Sequence, residues 1–165
     1  NLDKCTEEIE IEEIRNELTE QGYTKAKKAA SRKQNKVSEP MIFVSSSGFR
    51  IYAGKNNVQN DYITLKLAVS QDIWLHAKEI PGSHVIIKTE GKDIDSVTLE
   101  EAANLAAYYS KGRISSKVPV DYTRRKNVRK PAGARPGMVT YDNHQTIYIT
   151  PDEAKANNLK TKAVE

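Results

Sequence analysis

Seven consecutive residues, Asp72-Ile73-Trp74-Leu75-His76-Ala77-Lys78, hold the densest chemistry in the sequence. In an extended strand successive side chains point to opposite faces. Ile73, Leu75 and Ala77 then make an apolar face, and Asp72, Trp74, His76 and Lys78 share the other. That second face offers an aromatic platform, an imidazole and a cation. Stacking of a nucleobase on an aromatic ring is worth ~1–3 kcal/mol and tolerates any base, and a lysine beside it can meet a phosphate. The alternative is that another element covers Trp74, with Asp72 accepting a hydrogen bond from the indole N–H. The sequence leaves both readings open.

Catalytic chemistry has weaker support. Asp72, His76 and His84 are plausible ligands or nuclease residues by type, but an i, i+4 spacing on a strand separates the first two by ~13 Å. His84 sits beyond the turn Pro81-Gly82 and does not rescue that pair. A Ser83/His84/Asp72 triad fails because adjacent strand residues point apart and no oxyanion-hole motif accompanies them. Glu100 and Glu101 stand at a helix start, where carboxylates favour the helix dipole without any catalytic role. Gly54-Lys55 lacks the upstream glycine and the Ser/Thr of a phosphate loop. The expectation is no catalytic residue, no metal and no cofactor: the chain is not itself an enzyme.

Charge points elsewhere. The net charge is only +4, but residues 111–135 carry nine basic side chains (Lys111, Arg113, Lys117, Arg124, Arg125, Lys126, Arg129, Lys130 and Arg135) against Asp121 alone. Like charges this dense repel unless a polyanion neutralises them, and counterion release then drives binding to phosphates. A solvated charged face is the bland alternative. Gly133, Pro136 and Gly137 let the backbone after Arg129-Lys130 turn tightly towards a phosphate. Charge of this kind gives affinity without base reading, so RNA held by shape and backbone is the expected ligand, with stacking at Trp74, Tyr122 or Tyr141.

The elements that must position these residues follow from the pattern. Met41–Val44 and Phe49–Ala53 read as a hairpin through Ser45-Ser46-Ser47-Gly48. Asn56-Asn57 caps a helix whose buried face would be Val58, Tyr62, Leu65 and Val69. Asp72–Lys78 and His84–Lys88 are strands. Thr98-Leu99-Glu100-Glu101 reads as a capping box for a helix with Leu99, Ala102, Ala103 and Ala106 inward, stopped at Gly112. Val118–Tyr122 is a strand that extends towards Lys130, and Met138–Tyr141 pairs with Thr146–Thr150 as a last hairpin. The ββαββαβββ order predicts an α+β fold, with a mainly antiparallel sheet and helices on one side.

Residues 1–22 read as a helix ending a coiled coil, with apolar stripes Leu2, Cys5, Ile9 and Ile11, Ile14, Leu18 and a stop at Gly22. Residues 1–20 hold eight acidic and two basic side chains; residues 21–36 hold six basic and none acidic. Residues 23–40 are read as a basic linker, 41–152 as the folded domain and 153–165 as a C-terminal tail. Cys5 is the only cysteine, which excludes an internal disulfide. No apolar run approaches the ~20 residues of a membrane helix, and no leader pattern opens the chain. The reading is a monomeric piece of a longer cytoplasmic protein, with no membrane partner.

Several motifs in one order make a more specific signal than any alone. Gly54-Lys55-Asn56-Asn57-Val58-Gln59-Asn60-Asp61, Asp72–Ala77, Pro81-Gly82-Ser83-His84-Val85, Ala102-Ala103, Tyr108-Tyr109-Ser110, Val120-Asp121-Tyr122-Thr123, Lys130-Pro131 and Pro136-Gly137-Met138-Val139 together resemble the NFACT-R domain over residues 41–152. Residues 9–22 resemble the end of the coiled coil that precedes it. The resemblance implies an RNA-binding module of a ribosome quality-control factor. Such factors engage obstructed large subunits carrying peptidyl-tRNA and recruit alanyl-tRNA for C-terminal alanine tailing. The implied partners are tRNA and the large ribosomal subunit (rRNA). The candidate nucleic-acid contacts are Lys55, Asn56, Asn57, Trp74, His76, Lys78 and His84, with Arg124, Arg125, Lys126, Arg129, Lys130 and Arg135. Position 55 is Lys where the family often has Arg, which removes bidentate phosphate binding there. Bacterial members long carried the name fibronectin-binding protein, so a surface adhesin is one rival, and a hydrolase built on Asp72, His76 and His84 is another.

Overall fold

The computed structural model describes residues 38–164. The expected helix over 1–22 and the linker as far as residue 37 lie outside the described residues. The elements run β1 (Met41–Val44), β2 (Arg50–Ala53), α1 (Asn57–Asp61) continued by a π-helical stretch (Tyr62–Leu67), β3 (Ile73–Ala77), β4 (Val85–Lys88), α2 (Ser96–Tyr108), β5 (Val118–Arg124), β6 (Val128–Arg129), β7 (Thr140–Tyr141), β8 (Gln145–Ile149) and α3 (Glu153–Val164). Among the described residues six strands form one antiparallel sheet in the order β1-β2-β4-β3-β5-β8, and β6 and β7 form a separate two-stranded ribbon. The fold is α+β with a mainly antiparallel sheet, as the pattern predicts. No helix among the described residues is long and apolar enough to cross a membrane.

Alternation along β3 sorts the interior into two layers. Ile73, Leu75 and Ala77 join Phe43, Ile51, Val85, Ile87 and Val120 on one face, covered by Ala102, Ala103 and Ala106 of α2 and by Ala156 and Leu159 of α3. The alanines let α2 lie close to the sheet. On the other face Trp74 and Ile86, cross-strand partners, pack with Ile63, Ala68 and Val128. The two long helices therefore share one side, and the short α1 with its π-helical continuation covers the opposite one. β3 is central and buried on both faces, so its polar residues need partners inside the protein.

Local expectations meet several corrections. The helix at 57–67 forms, and Asn56 caps it by accepting from the Gln59 N–H at 2.9 Å. Its buried side chains, however, are Gln59, Asn60, Ile63 and Thr64, while Val69 is exposed. Polar groups win that face because each is bonded: Gln59 accepts from the Lys55 N–H at 2.8 Å and Asn60 from the His84 N–H at 3.0 Å. Helix α2 starts before the expected capping box, with Asp95 as its cap, accepting from the Thr98 N–H. Glu101 instead accepts from the Ser46 N–H of the β1–β2 turn.

The last hairpin does not form. Thr140–Tyr141 pairs with Val128–Arg129, and Gln145–Ile149 pairs with β5, because Thr123 donates its hydroxyl to the carbonyls of Asp142 and Asn143 and turns the chain there. The expected tail is also corrected: residues 153–164 are helix α3, with Ala156 and Leu159 buried. Asn104 exchanges two hydrogen bonds with the backbone of Asp152 to fix its start.

Asp72 ties this frame together and does not bond the indole. Fully buried, it sits 2.6 Å from Lys88 Nζ and accepts from the backbone N–H groups of Thr89 (3.0 Å) and Val69 (2.9 Å). These bonds join the end of the π-helical stretch, the start of β3 and the end of β4. Removing one partner of a buried ion pair strands the other. Because Lys88 keeps some exposure, Asp72→Ala should cost roughly 2–4 kcal/mol in urea unfolding. A loss below about 1 kcal/mol would show that the carboxylate is not structural.

Candidate nucleic-acid interface

The imidazole of His84 is the centre of the covered face. The Trp74 indole N–H donates to His84 Nδ1 at 3.1 Å, and the Thr64 hydroxyl lies 2.9 Å from the same nitrogen. On the other side of the ring, Nε2 is 3.1 Å from the Gly137 carbonyl. An indole nitrogen only donates and a carbonyl only accepts. The ring is therefore neutral, with its proton on Nε2. Burial and the neighbouring His76 push its pKa down to about 3. His76 stacks on Trp74 with centroids 5.9 Å apart and meets His84 edge-on at 5.1 Å; burial lowers it too.

That bond to Gly137 seats a loop. Asp61 accepts from the Gly137 N–H at 3.0 Å and pairs with Lys130 Nζ at 3.2 Å. Lys130 also donates to the Arg135 carbonyl. Gly137 has φ +86°, and a Cβ there would lie 2.5 Å from Asn57 Oδ1. Glycine is required on both counts. The loop 130–137 is thus clamped onto α1. Lys55 and Arg135 each stand two residues from that Asn57–Gly137 contact, within about 7 Å along the chain, and both are exposed. Gly54 provides a second close approach: a Cβ would sit 2.1 Å from Asn60 Oδ1.

A second polar cluster lies on the same side of β3. Buried Asp121, the partner of His76 across the strands, accepts from the Tyr141 hydroxyl at 2.5 Å and the Thr146 hydroxyl at 2.7 Å. Lys78 Nζ is 3.7 Å away. Burial, then Asp121, raises the Tyr141 hydroxyl well above the ordinary tyrosine value.

The expected contact residues divide accordingly. Trp74 (1% exposed) and His84 (2%) are buried and bonded, so neither is a surface for a base: Trp74 is covered, and its partner is His84. Asn56 is a buried cap. Tyr141 packs against Trp74, with centroids 4.6 Å apart. Arg124 donates to the Gln71 carbonyl at 2.6 Å and Arg125 to the Val128 carbonyl at 3.0 Å. Arg129 pairs with Asp142 at 3.2 Å yet stays 64% exposed. Lys55, Lys126 and Arg135 are exposed, with no ion pair among the described residues.

Nor do the basic residues of 111–135 form one ledge. Lys111, Arg113 and Lys117 precede β5, and Arg124–Lys126 lie at its other end. Seven extended residues put about 20 Å between these groups. In the third group Arg129 ends β6, and Lys130 and Arg135 ride on the clamped loop. The Asp72/His76/His84 hydrolase also dissolves, since Asp72 serves Lys88 and both His84 nitrogens are taken. Among the described residues no three His, Cys, Asp or Glu side chains gather as metal ligands.

Sequence reasoning missed Asn60, Asp61, Thr64 and Asp121 as residues that build the site, and read Gly137 only as a place where the backbone turns. Asn60, Asp61, Asp121 and Gly137 lay inside the resembling motifs, but their pairing across up to 76 positions leaves no local signal.

Comparison with known proteins places the chain among its relatives. Residues 39–143 match the family described as the NFACT protein RNA binding domain. The chain is 48% identical over 153 residues to the "Rqc2 homolog RqcH" of Bacillus subtilis, covering 92% of this chain and 26% of that protein. It is 44% identical over 152 residues to the protein of the same name in Streptococcus suis, covering 92% and 27%. The chain thus spans about a quarter of the length of these relatives. Among solved structures it resembles the C-terminal part of the fibronectin/fibrinogen-binding protein from Streptococcus suis. That match has a TM-score of 0.74 and 42% identity, covering 91% of this chain and 59% of that one.

The neutral imidazole sets a pH dependence. Between its ordinary value of 6.5 and about 3, the unfolded chain binds a proton at residue 84 that the folded chain refuses. Stability is therefore full above pH 6.5 and falls as pH drops, by up to about 1.4 kcal/mol per pH unit from this residue. His84→Gln should be less stable at pH 7 and show a shallower decline towards pH 4 in urea unfolding. Equal pH profiles for the two proteins would remove His84 from this role.

Proposed function

This chain belongs to the NFACT RNA-binding domain family, and from that membership we propose that it holds RNA through the loop 130–137 seated on α1 and the adjoining end of β6. Lys55, Arg129 and Arg135 meet the phosphates, while Lys126 adds charge from the far end of β5. The observation that carries this reading is the clamp. Asp61 and His84 fix Gly137 against Asn57, so Lys55 and Arg135, two exposed cations from distant parts of the chain, each stand two residues from that contact. A rigid display of cations costs less ordering when a polyphosphate binds, and backbone contacts give affinity without sequence reading. Asn57, exposed on α1, supplies a neutral hydrogen-bonding group beside them.

The relatives set the larger context of the proposal. As part of a longer factor, the domain would contact tRNA or large-subunit rRNA on obstructed large subunits. There the whole protein would recruit tRNA for C-terminal alanine tailing, in the cytoplasm. This domain contributes binding and no catalytic step. The fibronectin/fibrinogen-binding name of the structural neighbour gives the adhesin reading its one support, and the same cations would serve an acidic protein ligand.

Filter binding of the full chain to a tRNA and to an rRNA fragment, across a salt series, tests the site. Replacing Lys55, Arg129 and Arg135 together by Ala should weaken binding about tenfold or more at physiological salt. The slope of log K against log salt should flatten by about one for each phosphate that is no longer neutralised. Lys155→Ala, on α3 across the sheet, should change neither. Unchanged RNA affinity in the triple variant would refute the assignment, as would tighter binding to fibronectin than to either RNA.

A further inference from the structure

The segment between α2 and β5 is a second basic feature, which the loop on α1 does not use. Ile114 is 93% exposed, with Lys111, Arg113 and Lys117 around it and no carboxylate from residue 108 to 117. A lone exposed aliphatic residue is ordinary. This one stands on a turn that the fold holds firmly. Ser83 N–H donates to the Tyr109 carbonyl at 3.0 Å, Lys111 N–H to Pro81 at 2.9 Å and Ser115 N–H to Gly112 at 2.8 Å. The Gly112 N–H donates to Ser110 Oγ at 3.0 Å. A Cβ on Gly82 would lie 2.7 Å from Ser110 Cβ, and one on Gly112 would lie 3.0 Å from Ile80 and Val118. The backbone beneath the tip is therefore packed without spare room.

Arg113 completes the feature. Its Nε donates to the Tyr108 carbonyl at 2.8 Å, and its guanidinium carbon lies 4.1 Å over the centre of the Tyr108 ring. One face of the guanidinium is taken by tyrosine, which leaves the other for a planar partner, and Arg113 is exposed. A guanidinium plane on an aromatic is a surface on which unstacked bases settle. An aliphatic side chain beside it is the usual wedge between bases. A paired A-form helix offers neither an unstacked base nor a step that opens without cost.

We propose that residues Lys111–Lys117 form a second RNA contact, selective for unpaired nucleotides. A splayed base lies on Arg113, Ile114 wedges against its neighbour, and Lys111 and Lys117 meet the flanking phosphates. This deepens the RNA-binding reading and rests on it. The test uses the full chain and two RNAs of equal length, a hairpin with an unpaired loop and a blunt duplex. Wild type should prefer the hairpin. Ile114→Ala and Arg113→Ala should each weaken hairpin binding roughly fivefold or more, with duplex binding unchanged. Arg113→Lys should weaken it as much as Arg113→Ala, because the charge stays and the plane goes. Equal affinities in wild type and variants overturn this second site while leaving the loop on α1 intact, and so does an equal weakening on both RNAs. A wild-type chain that binds neither RNA overturns the RNA reading itself. Loss of anionic-vesicle binding in Ile114→Ala, with hairpin binding retained, assigns the tip to a lipid surface and overturns the proposal.

Discussion

Three segments far apart in the chain meet at one imidazole. His84 enters at the start of β4, takes the Trp74 N–H from the centre of the sheet, lies against Thr64 of the π-helical stretch, and gives its own proton to the Gly137 carbonyl. The indole N–H and the carbonyl have one possible hydrogen-bonding role each, so the tautomer is dictated. A protonated ring would turn Nδ1 against the indole N–H, and a ring with its proton on Nδ1 would lose Gly137 as well. The arrangement therefore has a single solution. Polar networks in a low dielectric specify position more sharply than apolar contact, provided each member is satisfied.

What that specificity secures is a place for cations. A run such as Arg129-Lys130 followed by Arg135 gains nothing from collapse onto itself, since like charges repel. The loop is held by a neutral bond to His84, by close packing of Gly137 against Asn57, and by the carboxylate of Asp61, which neutralises Lys130 alone. Its two glycines are open in different ways. Gly133 has nothing near a would-be Cβ, whereas Gly137 lies against Asn57. The clamp thus acts at the end of the loop and leaves the middle facing outward.

Most of the architecture was legible because it depends on local periodicity. The alternation in Asp72–Lys78 separated the two faces of β3 correctly, and the alanine-rich stripe of α2 announced close packing. The misses share one cause. Whether the second face of β3 is open depends on where residues 57–67 and 128–141 return, and no window of sequence reports that. A tryptophan flanked by polar residues reads alike whether it waits for a base or bonds a histidine ten positions away. The face of α1 was misjudged for the same reason: Gln59, Asn60 and Thr64 look like solvent-facing residues until their partners across the fold are known. The C-terminal helix has too weak an apolar stripe to be seen before its neighbour α2 is in place.

The same distinction explains how charge is distributed. Along the covered face, three aspartates each take one lysine: Asp72 with Lys88, Asp121 with Lys78 and Asp61 with Lys130. Two of these carboxylates are buried, and all three are bonded to backbone or hydroxyl groups as well. Cations near the sheet are thereby committed to the fold. Those on turns and loops, Lys55, Arg113, Lys117, Lys126 and Arg135, stand outside these three pairs. Net charge near the middle of the scale is thus compatible with a strongly polyanion-directed surface. Asp72 and Asp121 point inward to hold structure, and of the proposed contacts only Arg129 keeps an exposed carboxylate partner, Asp142; the excess basic side chains stand on segments the hydrogen-bond network has fixed. An interface for phosphates needs that separation, because an aspartate left on the surface beside Arg135 would compete for the same guanidinium.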